Sequence, residues 1–306
     1  MSALRDPVFS RTQALAAGFT SDQIRWALKT SRWFALRRGL YADSAAFNEL
    51  CPTDQHLLQA FAAMSHLTCP SMISHRSAAF LYGLPAYRNP QRVCLTVSRD
   101  QRRTMADVDL YTTRDFGRDN SLLNHRFTMA IAITTLARTV VDVARTSDLP
   151  ETLVVADAAL HTSGVTKAEL NNVLDGLWRW PHVDRARRAL EHADPRCSDP
   201  QISWVRGLFI ENQLPIPDFH VDIHERNKLI GRFDFAWPEL GVLAHVDRLN
   251  GTPSDQLRAL RQQRVIDEYA RQLGFTVLAL NPDELAAHAH HRLGPLRKAL
   301  AQQAAA

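Results

Sequence analysis

The sequence predicts an α/β protein of several domains, and three observations support that prediction. The chain has 306 residues, which is enough for two or three domains. Hydrophobic residues make up 45% of it and charged residues 22%, a balance typical of globular proteins with ample core material. Segments with helical periodicity also follow segments with the alternation of strands. With a polar, proline-bearing break near residue 195 taken as a boundary, the expected domains are 1–45, 46–195 and 196–306.

The N-terminal domain predicts two helices followed by a hairpin. Residues 9–17 have a helical pattern that ends at a glycine, and Thr20 with Gln23 forms a capping box that begins the second helix. Two short strands are expected next, at 33–36 and 39–42. Helix, turn, helix and hairpin is the order of a winged helix-turn-helix.

Positive charge is concentrated in this domain. Residues 1–43 hold seven arginine and lysine residues against three aspartates, while the whole chain has a formal charge of +4. Such a local field favours a polyanion, and in a winged helix the second helix enters the major groove while the hairpin tip contacts phosphate. The alternative is a small packing module with solvated charges. The residues expected to contact double-stranded DNA are Gln23, Arg25, Trp26, Lys29, Arg32, Arg37 and Arg38.

The middle domain predicts an α+β arrangement. Helices are expected at 54–64, 73–84 and 135–144, and strands at 93–97 and 107–112. Residues 150–192 have a helical pattern. This mixture gives a domain with its own core, between the two flanking domains.

Two pairs of polar residues stand out in the middle domain, and one of them could serve a site. Arg138 and Asp142 stand four residues apart in a helix and can pair, which on a helix surface contributes about 0.2–0.5 kcal/mol. His75 and Arg76 either serve a site or act as helix-terminus polar groups that stabilise the fold. The second interpretation is favoured for His75 and Arg76.

The C-terminal domain predicts the order αβββαβ with one more helix after it. This order is the core of the restriction-endonuclease-like fold. The expected elements are a helix at 202–212, strands at 219–224, 229–236 and 242–247, a helix at 254–273, a strand at 275–280 and a last helix from 282.

Two adjacent strands of this domain present the skeleton of a metal-dependent nuclease site. Asp234 lies on one strand, and His245 and Asp247 share one face of the next, because side chains alternate across a strand. In such a site acidic groups hold a divalent cation and a further group polarises the attacking water. The three residues are therefore the candidate site, although its chemistry is incomplete.

Three stretches together resemble known families. "FSRTQALAAGFTSDQIRWALKTSRWFALRRGLYAD" resembles the winged-helix domain of actinobacterial AbiEi-like type IV antitoxins, and "ISHRSAAFLYGL" with "ITTLARTVVDVA" resembles the second domain of that family. "LPIPDFHVDIHERNKLIGRFDFAWPELGVLAHVD" resembles a domain related to very-short-patch-repair endonucleases. The resemblance covers nearly the whole chain. It implies a DNA-binding antitoxin, with a cognate toxin protein as a possible partner.

The nuclease-like part departs from its family pattern. Members with an intact site carry Glu on the first helix, Asp before Phe-x-Trp-Pro, and Glu-x-Asp-Gly on the next strand; in this chain these positions are Ile202, Asp234, His245, Asp247 and Arg248. Neutral histidine does not supply the negative charge that holds Mg²⁺, and isoleucine cannot ligate a metal. The resemblance therefore implies a decayed site without a cofactor. The alternative is a site rewired around Asp234, His245 and Asp247 for Mn²⁺ or Zn²⁺.

The remaining sequence features indicate a cytoplasmic protein without a membrane partner. No run of 18 uncharged apolar residues occurs, and the N-terminus lacks the apolar core of a signal peptide. Four scattered cysteines predict free thiols in a reducing compartment. The leading hypothesis is a DNA-binding transcriptional regulator of antitoxin type with an inactive nuclease-derived domain. The alternatives are a DNA endonuclease that uses Mg²⁺ or Mn²⁺, and a module that neutralises a partner protein without DNA.

Overall fold

The computed structural model describes residues 6–86, 89–98, 105–113, 116–125, 128–162, 164–177, 179–226, 228–247 and 253–304. The chain divides into two compact units, the first formed by 1–146 with 164–187 and the second by 147–163 with 188–306. The mixed α/β character predicted from the sequence is confirmed. The division into three domains stays a prediction. The chain passes between the two compact units at 146/147, 163/164 and 187/188, whereas the predicted domain boundaries are 45/46 and 195/196.

Helices and strands alternate irregularly along the described chain. In chain order they are β1 (Val8–Ser10), α1 (Arg11–Ala16), α2 (Ser21–Lys29), β2 (Trp33–Arg37), β3 (Leu40–Asp43), α3 (Ser44–Asn48), α4 (Pro52–Met64), β4 (Ser71–Ile73), α5 (His75–Leu81), β5 (Val93–Ser98), β6 (Val108–Thr113), β7 (Asn120–His125), β8 (Thr128–Thr134), α6 (Leu136–Thr146), α7 (Leu149–Thr162), α8 (Lys167–Gly176), α9 (Val183–Glu191), α10 (Pro200–Glu211), β9 (Asp218–Glu225), β10 (Lys228–Trp237), β11 (Val242–Val246), α11 (Pro253–Gln272), β12 (Thr276–Leu280), α12 (Pro282–Arg292) and α13 (Gly294–Ala304).

The N-terminal part of the first unit has two helices and an antiparallel sheet with strand order β1-β3-β2. The sequence predicted helix from residue 9, but the helix begins only at Arg11, because Ser10 is extended and caps it. Phe9 instead packs in strand β1 against Trp33, with ring centroids 4.7 Å apart. Ile24 of α2 is buried in the same core. Strand β1 therefore fixes how α1 and α2 meet the hairpin.

The rest of the first unit contains a five-stranded sheet with the order β6-β5-β4-β8-β7, together with helices such as α4, α5 and α6. The pairs β5–β6 and β4–β8 are parallel, and the other pairs are antiparallel. The helix predicted at 73–84 is wrong at its start, because Ile73 ends strand β4. Ser74 is extended and its hydroxyl accepts a 2.8 Å hydrogen bond from Thr96. Strands β7 and β8 were not predicted; β7 is largely exposed and so lacks an apolar alternation.

The second unit contains a sheet with the order β12-β11-β10-β9, in which only β11 and β12 run parallel among the described strands. The predicted αβββαβ order is confirmed by α10, β9, β10, β11, α11 and β12. On one side Phe209 of α10 packs against Phe235 and Trp237, with ring centroids 4.9 and 5.6 Å apart. Phe233 belongs to a second cluster with Ala270 of α11. The central strand β10 is thus covered by apolar residues from both helices.

Helices α7 and α10 meet through a close backbone approach and a buried ion pair. A Cβ added to Gly207 would lie 2.4 Å from Cα of Pro150, so only glycine permits this approach. The Arg206 guanidinium donates a 2.6 Å hydrogen bond to Asp157, and both side chains are buried. Asp157 also accepts from the backbone N–H of Asp194 at 2.7 Å. These contacts hold α7 within the second unit.

None of the described helices is both long enough and apolar enough to span a bilayer.

Candidate functional site

The exposed face of α2 is the first candidate site. Helical spacing buries Ile24 and Ala27 and leaves Arg25, Trp26 and Lys29 on the outside. Trp26 is 57% exposed, which is unusual for so large an apolar side chain in a small domain. Two cations and an aromatic ring therefore stand together on one helix surface, open to a partner.

Two of the predicted contact residues on α2 are engaged in local interactions. The Gln23 side-chain oxygen accepts a 2.8 Å hydrogen bond from the backbone N–H of Thr20, which completes the predicted capping box. Arg25 forms an ion pair with Asp22, and both side chains are more than three-quarters exposed. Such an exposed pair is weak and separates readily. Arg25 thus stays available to a ligand, whereas the Gln23 oxygen belongs to the helix cap.

The hairpin presents its cations unequally. Arg32 and Arg38 are exposed, but the Arg37 side chain is only 18% exposed and its Nη1 lies 2.6 Å from Oδ2 of Asp107. Partial burial is the largest single influence and by itself raises the pKa of Asp107, but the hydrogen bond and the charge of Arg37, with smaller contributions, together hold that pKa below its usual range. The sequence predicted Arg37 and Arg38 as one basic tip. The partner of Arg37 lies 70 residues away, so no local pattern could identify it.

The second candidate site lies where β10 and β11 meet in the second unit. Asp234 is 7% exposed, and its Oδ2 accepts a 2.7 Å hydrogen bond from the backbone N–H of Val246. His245 is 8% exposed, and its Nε2 lies 3.5 Å from Oδ1 of Asp247. The three predicted residues therefore do come together, and they line a cavity of about 480 Å³. One Asp234 oxygen holds the neighbouring strand.

A third carboxylate, Asp267 of α11, completes the surroundings of His245. Its Oδ1 lies 3.5 Å from Nδ1 of His245 and accepts a 2.9 Å hydrogen bond from Gln263. Nδ1 of His245 is buried, and its contact with Asp267 is too long for a hydrogen bond. Asp267 was not predicted, since it stands on a helix that the two-strand pattern does not include. His245 thus lies between two carboxylates.

The pKa of Asp247 is raised above its ordinary value. Burial is the main cause; the nearby His245 opposes the shift, and the carboxylates of Asp267 and Glu284 add to it. Burial and the two neighbouring carboxylates thus raise the pKa of Asp247 together, against the opposing effect of His245.

Of the two remaining positions of the nuclease pattern, the described one is apolar. Ile202 is fully buried in α10, and Arg248 lies outside the described residues. Among the residues that the structure describes, no three histidine, cysteine, aspartate or glutamate side chains are arranged to hold a metal ion. Asp234, His245 and Asp247 line one cavity, and within the described part of the chain they do not form a metal-binding group.

Comparison with known proteins gives few relatives. No family model matches this chain. Two uncharacterised proteins of Mycobacterium tuberculosis, from strains CDC 1551 and H37Rv, are each 29% identical over 151 residues, which is 49% of this chain and 54% of theirs. The chain thus spans about half the length of the curated relatives it matches. The crystal structure of the Rv2827c protein of M. tuberculosis covers 66% of this chain and 76% of its own, at 15% identity and a TM-score of 0.42.

Proposed function

We propose that this protein is a DNA-binding transcriptional regulator of antitoxin type, and that α2 contacts double-stranded DNA. The exposed face formed by Arg25, Trp26 and Lys29 is the observation that carries the proposal. Its two cations suit phosphate and base edges, and its helix is short and follows a helix and a turn, as a recognition helix does. The excess of positive charge in residues 1–43 supports the same partner.

The contacts of the hairpin divide its proposed roles. Arg32 and Arg38 are exposed and are assigned to phosphate contacts. Arg37 is assigned to holding the hairpin, because its charge is met by Asp107. Arg25 is assigned to base edges, because it lies on the outer face of α2 beside Trp26. Under this assignment, loss of Arg38 removes a phosphate contact and loss of Arg37 does not. A uniformly basic tip would instead predict that the two single variants lose DNA affinity equally.

Residues 196–306 are proposed to form a nuclease-derived domain that does not cleave DNA. Its αβββαβ order and its mixed sheet support a restriction-endonuclease-like fold. Its site argues against cleavage, because Ile202 is apolar and buried, and Asp234 is engaged by the backbone of β11. Such a domain serves as a scaffold or as a surface for a cognate toxin protein. A gene for a toxin-like nucleotidyltransferase beside this one would favour the antitoxin assignment.

A mobility-shift titration against the upstream region of the protein's own gene tests DNA binding. Arg38→Ala and Lys29→Ala are each expected to weaken binding to all sequences and to lower the slope of log affinity against log salt by about 0.9 per lost phosphate contact. Arg25→Ala is expected to alter sequence preference. Arg187→Ala, an arginine paired with Asp175 outside α2 and the hairpin, is the matched control. Unchanged affinity in all three test variants would refute DNA binding through this face.

A metal-dependent DNA endonuclease is the second candidate function. The observation that favours it is that Asp234, His245 and Asp247 line one cavity, with Asp267 beside the histidine. We expect no cleavage of plasmid or linear DNA with Mg²⁺ or Mn²⁺ above background. Metal-dependent cleavage by the wild-type protein that disappears in a folded Asp234→Asn variant would establish an enzyme and overturn the proposal of an inactive domain.

A further inference from the structure

The first unit contains a cavity that neither candidate site uses. It has a volume of about 440 Å³ and lies between strand β6, helix α6 and residues 179–182. Cavities of this size are typical of small-molecule sites. Its wall includes the charged residues Arg138, Asp142, Arg145 and Arg179.

Two buried arginines of α6 share one carboxylate in the wall of this cavity. Nε of Arg138 donates to Oδ2 of Asp142 at 2.9 Å, and Nη1 of Arg145 donates to Oδ1 at 2.8 Å. The pairing of Arg138 with Asp142 is as the sequence predicted, but the pair is buried, so the value for an exposed helix pair does not apply. Burial follows from α6 packing between α5 and α8. The two guanidinium groups thus share the Asp142 carboxylate, and Arg138 also forms an ion pair with Asp119 at 3.5 Å.

Both guanidinium groups retain donors that these contacts do not use. Each guanidinium has five N–H groups. Besides Asp142, Arg145 donates from Nε to the carbonyl of Pro181 at 3.0 Å, and Arg138 makes a long 3.5 Å contact with Asp119. The indole of Trp180 lies beside both, with its ring centroid 5.5 Å from Arg138 and 5.1 Å from Arg145. Both arginines line the cavity.

A buried hydroxyl gives an independent sign that a ligand belongs in this cavity. Thr113, at the end of β6, is 2% exposed and lines the cavity. Its Oγ1 has no hydrogen-bond partner among the described residues. Native proteins rarely leave a buried hydroxyl unpaired, and a ligand is one of the few partners that can complete it. The hydroxyl can donate to the same anion that the two arginines attract.

His75 and Tyr111 form an uncharged part of the wall. His75 has a left-handed backbone, with φ of 52°, which is strained for a non-glycine residue and frequent at functional sites. Its imidazole stacks on Tyr111, with centroids 3.5 Å apart. Burial, the largest cause, lowers the pKa of His75 to about 4, so the ring is neutral near neutral pH. The sequence favoured a purely structural role for His75, and its position on the wall adds a surface for the uncharged part of a ligand.

We propose that this cavity binds a small organic phosphate, whose phosphate group is received by Arg138, Arg145 and the hydroxyl of Thr113. Guanidinium groups suit phosphate because they offer paired donors in one plane. Arg179 at the cavity adds a third positive charge. The buried position of the donors favours a diffusible ligand over the backbone of duplex DNA. The proposal does not depend on DNA binding by α2.

Calorimetric titration of the full chain with inorganic phosphate, at constant ionic strength, tests the site. We expect saturable binding with a Kd on the order of 1 mM or tighter. Thr113→Val keeps the shape and removes only the unpaired hydroxyl, so folding is expected to be intact while phosphate binds about tenfold more weakly. Arg179→Gln, at an exposed position, is expected to weaken binding as well. Arg187→Gln, which does not line the cavity, is the matched control.

Each possible result decides for or against the proposal. Loss of affinity in Thr113→Val and Arg179→Gln, with an unchanged Arg187→Gln, supports it. Absence of saturation in the wild type, equal affinity in Thr113→Val, or an equal loss in Arg187→Gln overturns it. Duplex DNA added at matched ionic strength is expected to leave phosphate binding unchanged. Displacement of phosphate by that DNA would assign the arginines to the nucleic-acid backbone and refute a diffusible ligand.

Discussion

Acidification is expected to destabilise the first unit through His56 and His75. Burial lowers the pKa of each from 6.5 to about 4. Below about pH 6.5 these histidines are therefore protonated in the unfolded chain but remain neutral in the folded unit. The free energy of unfolding is highest above that pH and falls as the pH decreases toward 4. With about 1.4 kcal/mol for each unit of pKa, the loss between about pH 7 and pH 5 is roughly 2 kcal/mol for each histidine.

Hydrogen exchange measured by mass spectrometry on α4 and α5 gives the free energy of opening where the two histidines lie. His56→Gln is expected to remove about half of the pH dependence, because glutamine does not titrate and can still bond to the Ser77 hydroxyl, now 2.7 Å from His56. His291→Gln, an exposed position in the second unit, is the control. Opening energies that stay constant from about pH 7 to pH 5, or a His56→Gln variant with the full pH dependence, would refute this reasoning.

Two further predictions concern packing in the second unit. Trp237 is 4% exposed and donates a 2.8 Å hydrogen bond to a backbone carbonyl. Trp237→Ala is therefore expected to lower the free energy of unfolding by about 3–5 kcal/mol. A melting temperature equal to that of the wild type would contradict its burial in the core. Gly207→Ala is expected to lower the free energy of unfolding in urea by about 1–3 kcal/mol, because its Cβ would collide with the backbone of Pro150, which cannot move aside as a side chain can. Gly117→Ala, where a Cβ meets open space, is the control. Equal stability of the two variants would show that α7 and α10 can separate freely.

Local patterns were sufficient for most helices and for the C-terminal strands. The Thr20–Gln23 capping box begins α2 as predicted, because both partners lie within one turn. The apolar alternation of β5 and the order of elements from α10 to β12 were also evident in the sequence. The predicted elements were wrong or missing where the local preference for helix or strand was weak, or where tertiary packing overrode it. Strand β1 displaced the start of a predicted helix, and β7 is too exposed to show an apolar period.

The sequence by itself determined which residue types stand near one another on β10 and β11. Asp234, His245 and Asp247 follow from the two-residue period of strands, and the structure brings them to one cavity. It could not determine their partners. Asp267 reaches His245 from α11, and Asp107 reaches Arg37 from another part of the first unit.

Only the tertiary structure decided whether a charge is free or engaged. Arg37 and Arg38 are adjacent and identical in the sequence, yet one is paired and mostly covered while the other is exposed. Arg138 and Asp142 have the spacing of an ordinary surface pair, yet packing of α6 buries them beside a cavity. Helical and strand periods are fixed by local backbone geometry, whereas burial and charge pairing depend on segments that are distant in the chain. For this reason the sequence predicted where the cations stand, and the fold decided which of them can meet a ligand.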